Sequence, residues 1–162
     1  PGHIGVLGNS AGGYHSLMTA YTAGQPEFEG DGGWADEDSS VQAVVDIYGP
    51  TDFTEPIRRD HNAVVSYMGG RYEEMPERFA KASPILQLSE KSPPTCVIHG
   101  TVDQLVPVTQ SDRLVEKLQD FGIPYEYSRI NGWPHAMDAA VAVSNHTKSL
   151  ALHFFNRYLK QK

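Results

Sequence analysis

A chain of 162 residues, 40% hydrophobic and 20% charged, is long enough to bury a core and reads as one globular domain over residues 1–162. Its formal net charge of -7 and the lack of any basic block argue against nucleic acid or an anionic membrane surface as partner. No apolar stretch reaches the roughly 20 residues of a membrane-spanning helix, and none reads as a signal peptide.

The first stretch of the chain is the most informative. An apolar run over 4–7 ends in Gly8-Asn9-Ser10-Ala11-Gly12, and a helix-compatible run over 14–21 follows, with Leu17, Met18 and Tyr21 on one face. Strand, tight Gly-x-Ser-x-Gly turn and helix form the context of a nucleophile elbow. Such a turn lifts Ser10 above the end of a sheet in a strained backbone conformation. Side chains two residues to either side would collide, which is the expected reason for Gly8 and Gly12. The first backbone N–H of the following helix, that of Ala11, points where an oxyanion would form.

Gly24-Gln25-Pro26 ends that helix, and residues 27–40 read as a polar, acidic, Gly-rich loop. Its acids lack the alternating spacing of a calcium loop, so solvation is their expected role. Residues 41–48 are a second β-rich run, closed by Gly49-Pro50. Residues 51–92 read as an irregular insertion or cover segment with short helical pieces near 56–68 and 76–81, each opened by a proline. Such an excursion either covers a site or merely connects two strands.

Residues 94–100 form a third strand with a continuous apolar centre, as suits a parallel strand buried on both faces. It contains Cys96, the single cysteine, which reads as a small buried hydrophobe and permits no intrachain disulfide. Asp103 follows in a loop. A helix opened by Pro107 carries Leu114, Val115, Leu118 and Phe121 on one face and is closed by Gly122 and Pro124. Residues 125–130 are the fourth strand, and Gly132-Trp133-Pro134-His135 is the next loop. A last helix over 141–158 places Leu152, Phe155 and Leu159 in register. Alternating strands and helices imply an α/β fold, a parallel sheet with flanking helices and right-handed crossovers. Functional groups gather at the carboxyl ends of such strands, and Ser10, Asp103 and His135 each follow one.

Serine needs a base within hydrogen-bond reach, and the base needs an orienting carboxylate. Ser10, Asp103 and His135 fall in the Ser…Asp…His order of α/β-hydrolases. The sequence resembles that superfamily in four blocks. Gly-Asn-Ser-Ala-Gly-Gly is similar to the elbow of its hormone-sensitive-lipase-like and feruloyl- or xylan-esterase-like branches. Val-Gln-Ala-Val-Val-Asp-Ile-Tyr-Gly-Pro-Thr-Asp (41–52) resembles the strand after the elbow. His-Gly-Thr-Val-Asp-Gln-Leu-Val-Pro (99–107) resembles the acid loop, and Gly132-Trp133-Pro134-His135 the histidine loop. The resemblance implies a serine carboxylesterase acting on small acyl esters, with Ser10 as nucleophile, His135 as base, Asp103 as acid and Ala11 N–H in the oxyanion hole. It implies no cofactor and no metal.

Other residues compete for these roles. Asp52, Asp112 and Asp138 are alternative acids; Asp112 falls on a solvated helix face, and Asp138, close behind His135, is the reserve acid. His15, His61, His146 and His153 lie in helical stretches, where surface or satisfied core roles are the rule. His99 ends a strand and reads as structural. Two other functions share the pattern: a prolyl-oligopeptidase-type serine peptidase domain, and a non-catalytic fragment or assembly module that keeps the three residues as a relic.

Members of the superfamily carry several strands, two helices and a His-Gly-Gly loop ahead of the elbow, and that loop supplies a second oxyanion donor. The present sequence starts at the strand leading into the elbow. The expectation is therefore a partial α/β-hydrolase fold, the last four strands of the domain, or a minimal version of it. Its 4–7 strand would be an open edge, inviting self-association or an N-terminal partner chain. A missing oxyanion donor would cost on the order of 10²–10³ in rate.

Overall fold

The four strand-like runs become the strands of one parallel sheet. The computed structural model describes residues 2–34 and 36–160. Strands β1 (Gly5–Asn9), β2 (Ala43–Ile47), β3 (Thr95–Gly100) and β4 (Tyr125–Ile130) are hydrogen-bonded in chain order, every pair parallel. Asn9 is level with Ile47, Ile47 with Ile98, and Ile98 with Ser128. The segments leaving all four strands therefore open on one edge of the sheet. The central strands β2 and β3 are buried throughout, whereas β1 and β4 are partly exposed. That difference follows from having sheet neighbours on both sides or on one. Ile4 and Leu7 lie exposed along the β1 edge.

Successive strand residues face opposite ways, so each strand feeds two cores. Val44 and Val97 pack with Leu17, Ala20 and Tyr21 of α1 (Ala11–Thr22) and with Leu114 and Leu118 of α7 (Thr109–Asp120). Val45, Cys96 and Ile98 pack on the other face with Val143, Ala151 and Phe154 of α8 (Val141–Leu159). Two sequence expectations are corrected here. Leu152 is 63% exposed; the buried stripe of α8 is Val143, Thr147, Ala151 and Phe154. The stripe passes through Thr147, whose hydroxyl is satisfied by the Ser144 carbonyl at 3.0 Å, so an apolar count alone misplaces it. The 27–40 region is also not loop throughout, since Pro26–Glu29 forms a turn of helix, α2. Proline at the first helical position opens a turn as readily as it ends the preceding one.

Residues 51–92 hold four short helices: α3 (Pro56–Arg59), α4 (Asn62–Met68), α5 (Pro76–Lys81) and α6 (Pro84–Gln87). The single piece expected near 56–68 is thus divided, with His61 capping α4 through its Nδ1, which accepts from Ala63 N at 3.3 Å. This segment is tied to the sheet layer by buried polar contacts. Gln110 Oε1 accepts from Thr51 N (2.9 Å) and Asp52 N (2.8 Å), and Thr51 Oγ1 donates to the Gln110 carbonyl at 2.8 Å. Ser83 Oγ accepts from Phe53 N at 2.9 Å and donates to Phe79 O at 2.7 Å. Tyr14, Phe53, Val64, Met68 and Phe79 then form a third apolar cluster, between α1 and the 51–92 segment. No helix among the described residues is long and apolar enough to cross a membrane.

Asp46, in the middle of the sheet, is fully buried. Its Oδ1 accepts from Gly49 N at 2.9 Å, and its Oδ2 has no partner among the described residues. Burial in this apolar setting pushes its pKa up to about 7, against the lowering effect of the Gly49 hydrogen bond. An unfolded aspartate gives up its proton near pH 4, about 3.9. Between these values the folded state binds more protons than the unfolded one, so Asp46 makes stability fall as pH rises toward 7. Asp46→Asn keeps the acceptor for Gly49 and removes the titration. Thermal melts are expected to show the variant gaining on the wild type from pH 4.5 to pH 8, by on the order of a few kcal/mol. An unchanged gap across that range would contradict the assignment.

Candidate active site

The link between β1 and α1 is a one-residue turn. Ser10 has φ 54° and ψ -121°, a strained conformation for a residue with a Cβ, costing about 1–3 kcal/mol. Neighbouring backbone holds it there: Ser10 N donates to Ile47 O at 2.9 Å, and Tyr14 N donates to Ser10 O at 3.0 Å. The glycine expectation is half right. A Cβ on Gly8 would lie 2.2 Å from the Gly12 carbonyl group, but one on Gly12 would meet nothing within 4 Å. Gly12 supplies backbone to the close approach, while its own α-hydrogens face solvent. The second crowded glycine is Gly13, where a Cβ would lie 2.2 Å from Asp46 Oδ1. Ser10 sits at the N-cap of α1, yet its side chain makes no capping bond. Its Oγ lies 2.8 Å from His135 Nε2 instead. Ala11 N–H belongs to the first turn of α1, where helical geometry offers no carbonyl acceptor.

His135 stands on the loop after β4, with its side chain 17% exposed. Its Nδ1 is 2.6 Å from Asp103 Oδ2. Asp103 comes from the loop after β3, and its carboxylate is fully enclosed. Oδ1 accepts from Leu105 N (2.9 Å) and Val106 N (2.8 Å); Oδ2 faces His135 Nδ1 and, at 3.3 Å, His99 Nε2. The two loops are stitched together. Val102 N donates to Trp133 O at 3.2 Å and Gly132 N to Thr101 Oγ1 at 2.9 Å. A Cβ on Gly100 would lie 2.2 Å from that same Trp133 carbonyl oxygen. The sequence-predicted Ser10, Asp103 and His135 therefore meet in one hydrogen-bonded chain from three separate strand ends.

The competing residues are occupied elsewhere. Asp52 is buried and paired with Arg113 at 3.0 Å. Asp112 is not simply solvated, since its Oδ1 accepts from Tyr127 OH at 2.7 Å. Asp138, the reserve acid, accepts short hydrogen bonds from Asn9 Nδ2 and Tyr48 OH. His99, expected to be structural, is buried and touches Asp103. Burial lowers its pKa, so its ring is neutral. Nε2–H donates to the Val106 carbonyl at 2.9 Å, leaving Nδ1 to accept from Ser111 Oγ at 2.7 Å. His146 and His153 are exposed on α8, and His15 is exposed on α1.

Two contributors escape the sequence reading. Tyr48, just past β2, has φ 48°. Its ring lies 4.8 Å from that of His135, at 63°. With Asn9 and Asp138 it forms a clasp joining the residue before Ser10 to the segment after His135. Its place at the end of a strand, level with Ser10, was the available signal. The other is Arg58, which borders a cavity of about 270 Å³ beside Ser10. That cavity is walled chiefly by Tyr14, Phe53, Val64, Tyr67 and Val106. A second cavity, of about 540 Å³, opens on the His135 side against Val102, Gln104, Leu105 and Pro134.

Comparison with known proteins places the chain. The family model described as BD-FAE matches residues 1–118. A curated relative, "Probable carboxylic ester hydrolase LipM" of Mycobacterium tuberculosis, is 33% identical over 144 residues, covering 85% of this chain and 33% of its own. The chain thus spans about a third of that relative's length. Among solved structures, esterase Est2 of the planctomycete Thermogutta terrifontis superposes with a TM-score of 0.76 at 22% identity, over 98% of this chain and 58% of the other. A puromycin-hydrolysing peptidase of Mycobacterium tuberculosis reaches 0.77 at 22% identity, over 100% and 23%. At such identities the structures speak for a shared fold alone. The family match extends from the elbow through the Asp103 loop into α7, and on that ground the chain belongs to the BD-FAE family of α/β-hydrolase esterases.

Proposed function

We propose that this chain hydrolyses small carboxylic esters through an acyl-enzyme on Ser10. The observation that carries the reading is the continuous contact from Ser10 Oγ to His135 Nε2 (2.8 Å) and from His135 Nδ1 to Asp103 Oδ2 (2.6 Å). His135 takes the Ser10 proton as Oγ attacks the ester carbonyl, and Asp103 holds the imidazole and favours its charged form. The oxyanion lies against Ala11 N–H at the positive end of α1. His135 then protonates the departing alcohol, and a water activated by the same ring releases the acid. The leaving oxygen must sit next to His135, so the alcohol faces the larger cavity. The acyl chain turns into the apolar cavity beside Ser10.

Hydrolysis of p-nitrophenyl acetate is the direct test. Ser10→Ala is expected to lower kcat/KM by about 10⁴-fold or more, and Asp103→Asn by a comparable factor. Ester cleavage that survives Ser10→Ala would remove the proposal. Ser10-dependent cleavage of a prolyl p-nitroanilide with no action on the ester would make the chain a peptidase domain.

The clasp of Asn9, Tyr48 and Asp138 supports the same reading, since it holds nucleophile and base segments together. Tyr48→Phe and Asp138→Asn are expected to lower kcat by roughly 10- to 100-fold through misplacement of the His135 loop, with KM little changed. Steady-state kinetics on the same ester decides this, and an unaltered kcat in both variants would show that the clasp positions nothing.

A further inference from the structure

Arg58 in the cavity beside Ser10 has no part in the chemistry just described. It lies on α3 and is 6% exposed. Its Nη1 donates to the Leu105 carbonyl, the side chain's one hydrogen bond among the described residues, and Nε is buried without a partner there. The ion pairs formed by the described residues do not include Arg58. Asp103 is the one charge that favours its cationic form, yet the oxygens of that carboxylate are already taken by Leu105, Val106, His99 and His135. A guanidinium offers five N–H donors; burying Nε without a partner is unfavourable, and Nη2 makes no hydrogen bond among the described residues. The cavity wall contains no Lys, Asp or Glu, only Arg58, the imidazoles of His15 and His61 and the phenols of Tyr14 and Tyr67 among its titratable side chains. An anion placed there would meet one buried cation, and the Asp103 carboxylate that favours that cation does not line the cavity.

We propose that Arg58 binds a carboxylate at the far end of the acyl group, so that the site accepts half-esters of dicarboxylic acids. The assignment of the acyl side rests on the esterase reading above. With the alcohol at His135 and the carbonyl oxygen at Ala11, the remaining substituent has the cavity beside Ser10 to occupy. Its methylene chain would pack on Phe53, Val64 and Tyr67, and its terminal carboxylate would take the idle N–H groups in a forked, charge-assisted pair. A structural role for Arg58, holding Leu105 in the turn after Asp103, would affect neutral and anionic esters alike. Recognition of charge would not.

The test uses the full chain carrying Ser10→Ala, so that ligands bind without turning over. Isothermal titration compares the monomethyl with the dimethyl esters of succinate, glutarate and adipate. For at least one chain length the half-ester is expected to bind about 10- to 100-fold more tightly than the diester. Adding Arg58→Gln is expected to bring that ratio close to one. Arg58→Lys, which keeps the charge and loses the planar fork, is expected to retain part of it, and circular dichroism checks that both variants fold. Equal binding of half-ester and diester, binding of neither, or a preference that survives Arg58→Gln would overturn the proposal. The parent comparison alone can do so should the variants not fold. Binding does not depend on turnover, so a half-ester preference without Ser10-dependent hydrolysis would remove the esterase reading and leave the anion site standing.

Discussion

Four hydrogen-bond donors converge on the Asp103 carboxylate, and the geometry of the site depends on that convergence. Two are backbone amides of its own turn, Leu105 and Val106; two are imidazoles, His135 on the neighbouring loop and His99 on the strand before it, whose Nε2–H is shared between the Val106 carbonyl at 2.9 Å and Asp103 Oδ2 at 3.3 Å. A buried carboxylate with its lone pairs satisfied has one orientation available, because each alternative would leave a polar group unpaired in a low-dielectric setting. His135 inherits that orientation through Nδ1, and Nε2 is thereby aimed at Ser10. The close approach of Gly100 to the Trp133 carbonyl holds the two loops at the spacing this requires.

At Ser10 the same end is reached by crowding. Ser10 keeps an unfavourable φ because Gly8 packs directly on the backbone of Gly12, and Gly13 packs on Asp46 beneath it. Asp46 is itself held by Gly49, one residue past Tyr48. The elbow, the centre of the sheet and the turn after β2 are thus one packed unit. Relaxing Ser10 would require the strand beneath it to move, which is how strain at a single residue persists in a folded chain.

Much of this architecture is legible in the sequence. Three apolar runs and the mixed run over 125–130 specify the strands, and proline and glycine at their ends mark the helices between them. The motif around Ser10 and the loops holding Asp103 and His135 stand in an order that singles out all three residues as candidates. The readings that go astray share a cause. Gly12 looks necessary by symmetry about Ser10, but the crowding is one-sided. Leu152 looks buried by helical count, but the stripe runs through Thr147. Asp138 looks like a spare acid by nearness in sequence to His135, but in space it serves Asn9 and Tyr48.

By itself, then, the sequence determined the alternation of strand and helix, the parallel sheet and the three residues at its carboxyl edge, because these depend on local periodicity and on motifs within a few positions. Only the tertiary structure decided which polar groups are satisfied by which partners. Asn9 meets Asp138 across 129 positions and Tyr48 meets it across 90, while Arg58 reaches Leu105 across 47. No local pattern encodes such pairs, since each arises from where the sheet brings distant loops to the same edge. The positions of Ser10, Asp103 and His135 at one sheet edge were therefore readable in advance, whereas the buried guanidinium beside them emerged only once segment 51–92 was folded over Ser10.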